Sequence, residues 1–269
     1  MNVTGKLSMY LSLVRLEFLK MLAYRISFLT GVVNYTVQIG AYYFIWQAIY
    51  SGKKVIGGLS QEEMITYVVI AWVGRSFYFN NLDRAITQEI KSGQVAMELI
   101  RPYSYFGTKI ARAFGEAAFR LLFFTIPSFV FLSLFIDFKV SADAQTFMFF
   151  GLALFGSFLL NAQVNYITGL IAFFTVSTAG VQRAKRVVVD LLSGLLLPIL
   201  LYPEAIQRVI GILPFQAISY LPNLIYLEKI QGTEVWRVFE LQIFWFLSLL
   251  LLGQVMWYYA CKKLAVQGG

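Results

Sequence analysis

The chain has 269 residues, 59% of them hydrophobic, 17% aromatic and only 13% charged, well short of the roughly one-quarter charge of a soluble domain. Its net charge of +8 is spread over short loops rather than gathered in the dense patch that nucleic acid requires. The absence of histidine and the single cysteine, Cys261, exclude disulfide frameworks, cysteine-rich metal sites and histidine-based catalysis or proton relays.

The apolar runs are continuous and match the ~20 residues of a helical membrane span, not the ~10-residue alternating strands of a membrane barrel. The expected fold is therefore an all-α integral membrane protein, one transmembrane domain over residues 1–269. Residues 6–22 set Leu7, Tyr10, Leu11, Val14, Phe18, Met21 and Leu22 on one helical arc, with Lys6, Glu17 and Lys20 opposite. That pattern predicts a helix lying in the interface, the frayed start of the first span being the alternative. Charges at Arg15, Glu17, Lys20 and Arg25 interrupt any secretory leader, so no cleavage is expected.

The first span is predicted from about Ile26 to Tyr50, and it carries Asn34 and Gln38 four residues apart on one face. Amides in lipid need partners. Tyr42, Tyr43, Trp46 and Tyr50 suit an outer aromatic belt, and Ser51 to Glu63 an outer loop. The second span, about Met64 to Leu82, contains Arg75. A charge at that depth costs ~3 kcal/mol or more unless it is paired or snorkels, so Arg75 should face protein or water.

Residues 83–112 then form the largest polar interval inside the chain. Ile86, Ile90 and Met97 share a helical stripe, Ser92-Gly93 is a natural bend, and Gln94 to Ile100 can form a short helix stopped by Pro102. A short amphipathic helix of mixed charge suits docking into a groove of a soluble partner, although such a loop can also merely connect two spans. The third span, about Ala113 to Ile136, opens with Glu116 and Arg120, four residues apart and able to pair.

In the fourth span, about Gln145 to Thr178, Ala153, Ser157, Asn161, Asn165 and Gly169 recur every fourth residue. Such a small-and-polar ridge lets helices approach closely in lipid; lining a pathway is the other use, for which Asn161, Gln163 and Asn165 are the candidates. Arg183, Lys185 and Arg186 mark a return to the first side, followed by a short fifth span at about Val187 to Leu201, with Asp190 cheap near a span end. Residues 203–222 are apolar but broken by Pro203 and Pro214, and are expected to dip into the membrane from outside as a re-entrant pair. The sixth span is about Val238 to Ala260. Fourteen of the 22 Lys and Arg fall in the N-terminal segment, the two even-numbered loops and the tail. That side, with both termini, is predicted to be cytosolic.

No nucleotide-binding phosphate loop, carboxylate cluster with metal spacing or other catalytic set is present in the sequence, so no enzymatic activity is expected of the chain itself. The interfacial helix, six spans, the Gly93-x5-Leu99-x2-Pro102 loop and the proline-broken segment before the last span together resemble an ABC-2-type permease. The Leu-Ile-Arg-Pro-Tyr run at 99–103 and the entry at 14–25 are similar to the small exporter branch that includes viologen and drug exporters. The resemblance implies a half-transporter in a bacterial cytoplasmic membrane, paired with a second permease subunit, identical or homologous, amid membrane lipids. Each would rest on a separate ATP-binding-cassette subunit that holds ATP and Mg, leaving no cofactor in this chain. It further implies that the loop at 83–112 contains the coupling helix, with Glu89, Ile90, Gly93, Met97, Glu98, Leu99, Arg101 and Pro102 at the ATPase contact. Asn34, Gln38, Arg75, Asn161 and Asn165 are the candidates for the translocation path. The rival is a self-sufficient secondary carrier.

Overall fold

The computed structural model describes residues 3–267 except 24, 102, 140–142, 176 and 177. The side chains of Asn34 and Leu99, and all of Pro102, lie outside the described residues. Among the described residues every regular element is helical apart from one hairpin of two two-residue strands.

Helix α1 (Val3–Ala23) is followed by α2 (Arg25–Tyr50). α1 lies along a later helix, α6 (Tyr105–Arg120). The approach is close enough that a Cβ on Gly107 would sit 2.7 Å from the Tyr10 hydroxyl, and one on Gly115 would strike the Val14 carbonyl. Phe18 meets Phe119 edge-on at 5.6 Å, while Leu7, Leu11 and Leu22, on the same expected arc, are exposed. The apolar arc is thus divided between α6 and the surroundings.

Strands β1 (Val55–Ile56) and β2 (Leu59–Ser60) close over Gly57 and Gly58, whose φ values of +57° and +81° give the two-residue turn that matches strand twist. Ser60 then caps α3 (Gln61–Tyr78) with a reciprocal box: its Oγ accepts from the Glu63 amide at 3.2 Å, and Glu63 accepts from the Ser60 amide at 2.8 Å. From Met64 to Tyr78 every residue of α3 is buried. The second expected span is therefore the interior post of the bundle.

Beyond a break at residues 79–81 come α4 (Leu82–Lys91) and α5 (Val95–Leu99), separated by Gly93 at φ +74°. α6 leads through a π-helical turn at Leu121–Thr125 into α7 (Ile126–Phe135). Pro127 sits just after that turn, where its missing N–H would otherwise break the ladder. α8 (Ala144–Leu170) is capped by Asp143, whose carboxylate accepts from the Gln145 and Thr146 amides. All five ridge residues, Ala153 to Gly169, are buried, and a Cβ on Gly169 would lie 2.8 Å from that of Ile86. The Gly169 end of the ridge is where α4 presses on α8.

The fifth span departs from expectation. α9 (Ala179–Leu192) starts before the basic cluster and ends at Ser193; Gly194 (φ +79°) and Pro198 turn the chain before a 3-10 turn at Ile199–Leu201. The run from Val187 to Leu201 is hence no continuous helix, because Gly194 takes a left-handed conformation that hydropathy does not report. The re-entrant expectation at 203–222 meets α10 (Glu204–Gly211) and a second arm, a 3-10 turn at Pro214–Ala217 with α11 (Tyr220–Tyr226), bent from α10 by 75°. α12 (Thr233–Gln267) closes the chain alongside α8, with Gln242 donating to the Ala153 and Ala217 carbonyls at 2.9 Å each.

Among the described residues three helical stretches are long and apolar enough to cross a membrane: Tyr105–Phe135, Ala144–Phe173 and Thr233–Lys263. The bent pair makes a fourth if it counts as one span.

Candidate functional site

The break between α3 and α4 frees three backbone carbonyls, which need donors when buried. Each finds a side chain. Asn161 donates to the Tyr78 carbonyl at 3.0 Å, Arg120 to that of Phe79 at 3.3 Å, and Asn165 to that of Asn80 at 3.0 Å and its Oδ1 at 2.8 Å. Two polar residues of the α8 ridge are thus ligands of a bent backbone, and Arg120 serves it while paired with Glu116, as the spacing foretells.

α9 straps this junction from the other side. Asp190 takes both guanidinium arms of Arg75, the second at 3.1 Å. Lys185 pairs with Asp83 at 2.9 Å and also donates to Asn165. Gln182 donates to the Thr87 hydroxyl at 3.0 Å and the Asp83 carbonyl at 3.3 Å. Arg75 faces protein, as a charge at that depth should. Asp190, expected to be cheap through snorkelling, is instead its counter-ion. Arg75, Asp83, Asn161, Asn165, Lys185 and Asp190 line a cavity of about 20 Å³, room for about one water. Gln38 is half-buried on α2 and lies away from it, while Gln163 is fully buried with neither amide atom bonded among the described residues.

From this junction α4 and α5 project as an arm. At its elbow Glu89 is turned inward: Lys109, only 2% exposed, reaches both its oxygens at 2.5 and 2.6 Å, and the Tyr105 hydroxyl donates at 2.8 Å. Ile90 packs half-buried against the interior, and Val95 is fully buried. The outward face carries Met97 at 59% and Ile100 at 76% exposure, with Lys91, Gln94 and Arg101 around them and Arg101 paired to Glu98 at 2.9 Å. Of the residues expected at a partner contact, Glu89 and Ile90 therefore hold the arm to its own protein, whereas Met97 and Arg101 are presented outward.

Ile100, Gln182, Lys185 and Asp190 were not among the expected site residues. One signal for Asp190 was available: it is the sole carboxylate between Asp143 and Glu204, and Arg75 needed one. Among the described residues the arrangement brings together no catalytic set; its ionic and amide contacts tie α4 to helices α6 and α9, the break before it to α8, and α3 to α9.

A family model described as ABC-2 family transporter protein matches residues 36–268. Comparison with curated protein sequences gives no match.

Proposed function

The chain belongs to the ABC-2 family of transporter proteins, a multi-pass membrane component of an ABC transporter, and from that premise we propose that it is the permease subunit of an ATP-driven exporter. A separate ATP-binding-cassette subunit hydrolyses the ATP, and two permease subunits pair around the path. The observation that carries this reading is the arm: a short helix bearing exposed Met97 and Ile100 beyond a glycine bend, with Val95 buried beneath it and Glu89 tied to Lys109 at its elbow. An ATPase groove that receives the two apolar side chains would pull on α4 as it closes. The pull would reach α9 through Asp83 and Lys185, and α6 through Glu89 and Lys109. Work enters as differential contact between two arrangements of the same helices, with no bond made or broken in this chain.

In this reading the arm, both termini and the basic loops face the cytosol of a bacterium, and the bent pair α10–α11 closes the far side. The substrate in this reading is a drug or other lipophilic compound. Gentle solubilisation of the tagged chain tests the proposal: an ATPase should co-purify, and transport into inverted vesicles should require ATP. Transport that persists without ATP but with an ion gradient would instead establish a self-sufficient carrier.

A further inference from the structure

We infer that a cavity between the tip of the arm and α12 binds a small organic ammonium group. The cavity measures about 270 Å³ and is walled by Glu98, Tyr103, Tyr105, Tyr166, Gln254 and Trp257 among others. That is slightly below the ~300 Å³ at which drug-sized pockets begin, and so suits one compact head group. Among the described residues Glu98 is the only charged one lining it, so an anion is disfavoured, and a wholly apolar guest would take water from that carboxylate while giving it nothing beyond its existing pair with Arg101.

The aromatic walls supply what a weakly hydrated cation requires, namely electron-rich ring faces packed in place. Tyr105 and Trp257 stack at 4.2 Å with 6° between their planes, and Tyr166 stands 6.2 Å from Tyr105. The rings at this end of the molecule already hold the protein's own cations: Lys109 over Tyr105 at 4.6 Å, Arg101 over Tyr103 at 5.9 Å, Lys262 over Tyr258 at 4.3 Å and Lys263 over Phe174 at 5.5 Å. Arg101 is therefore an internal competitor. It shares Glu98 and Tyr103 with the cavity but does not line it, and a guest cation draws Glu98 away from it. A bound ammonium thereby joins the arm to α12.

The inference rests on the cavity alone and is independent of the exporter reading. Its test is isothermal titration of benzyltrimethylammonium into the full chain in dodecyl maltoside, a detergent with neither charge nor ammonium. Saturable binding is expected, weakened about tenfold by Glu98→Gln and strengthened severalfold by Arg101→Ala. Neopentylbenzene, the uncharged isostere, should not bind. Competition by dihexanoyl phosphatidylethanolamine, but not by the phosphatidylglycerol analogue, would identify a lipid head group as the source; no competition by either would identify a free cation. Absence of saturable binding, equal binding of the neutral isostere, or an affinity indifferent to Glu98→Gln each overturns the assignment.

Discussion

Arg75 and Asp190 stand 115 positions apart in the chain, yet they meet as a two-armed guanidinium–carboxylate pair, with the ring of Trp72 5.5 Å from the guanidinium carbon on one side and that of Phe79 5.4 Å away on another. The pair joins the interior post α3 to the strap α9 just above the break that releases the arm. Both side chains are largely buried, so each charge depends on the other.

Removing one partner should cost far more than removing both. Asp190→Ala leaves the Arg75 guanidinium buried without its counter-ion, a loss of roughly 3–5 kcal/mol, whereas Arg75→Met with Asp190→Leu substitutes apolar contact and should recover most of it. Thermal unfolding of the purified chain in detergent measures both. Equal melting of the single and double variants would remove the pair from its anchoring role.

The two ridge amides should differ in weight. Asn161→Leu takes from one carbonyl, that of Tyr78, the nearer of its two side-chain donors and leaves it Asn80 at 3.3 Å, a loss of about 1 kcal/mol. Asn165→Leu deprives Asn80 of two hydrogen bonds and Lys185 of an acceptor as well. Hydrogen exchange across residues 78–87 should rise in both variants and rise more in Asn165→Leu. The opposite order would mean that the break is held by something other than α8.

Met97, Ile90 and Ile100 separate docking from folding. Met97→Asp and Ile100→Asp change exposed side chains and should leave thermal stability within about 0.5 kcal/mol while abolishing ATP-dependent transport and ATPase stimulation. Ile90→Asp puts a carboxylate against the interior cluster around Ile86 and Tyr105 and should destabilise the chain itself. If Ile90→Asp is as stable as Met97→Asp, the arm is not seated as described.

What could be foreseen from the residues was local. Gly93 and the apolar spacing of 94–100 specify a bent arm because φ > 0 and helical period are properties of neighbouring residues. The four-residue ridge from Ala153 to Gly169 specifies a close helix contact for the same reason. The partners of those features could not be foreseen. Nothing near Glu89 in sequence says that Lys109 and Tyr105 turn it inward, since the elbow brings together residues up to 20 positions apart. Gly194 interrupts an apolar run without lowering its hydropathy, so the fifth span reads as continuous until its backbone is traced.

Glu89→Gln tests that elbow. It removes the charge facing Lys109, whose ammonium is among the most buried polar groups described, and should loosen the arm from α6 without altering the outward face. Lys109→Met in the same chain removes the stranded ammonium and should restore stability. Coupling, read as transport per ATP hydrolysed, should stay impaired in the double variant if the ionic tie carries force, and should return with stability if the tie only supports packing.

At the opposite end of α3 the Glu63–Lys229 pair, at 2.6 Å, makes a pH-dependent clasp between the hairpin end and the segment before α12. Partial burial pushes the Glu63 carboxyl up, but Lys229, with the Ser60 amide and hydroxyl, outweighs it and holds the group below the usual glutamate range. A carboxyl depressed in the folded state contributes stability that is present above its unfolded pKa, about 4.3, and is lost as pH falls through the lower folded value. Glu63→Gln should accordingly lower Tm at pH 7, and the gap to the unmodified chain should narrow steadily below about pH 4.3. Lys229→Ala should give the same narrowing, because it removes the same pair. A gap that persisted undiminished to pH 3 would show that the charge pair with Lys229 is not what Glu63 contributes, since the capping bond from the Ser60 amide can be accepted by a protonated carboxyl or an amide alike.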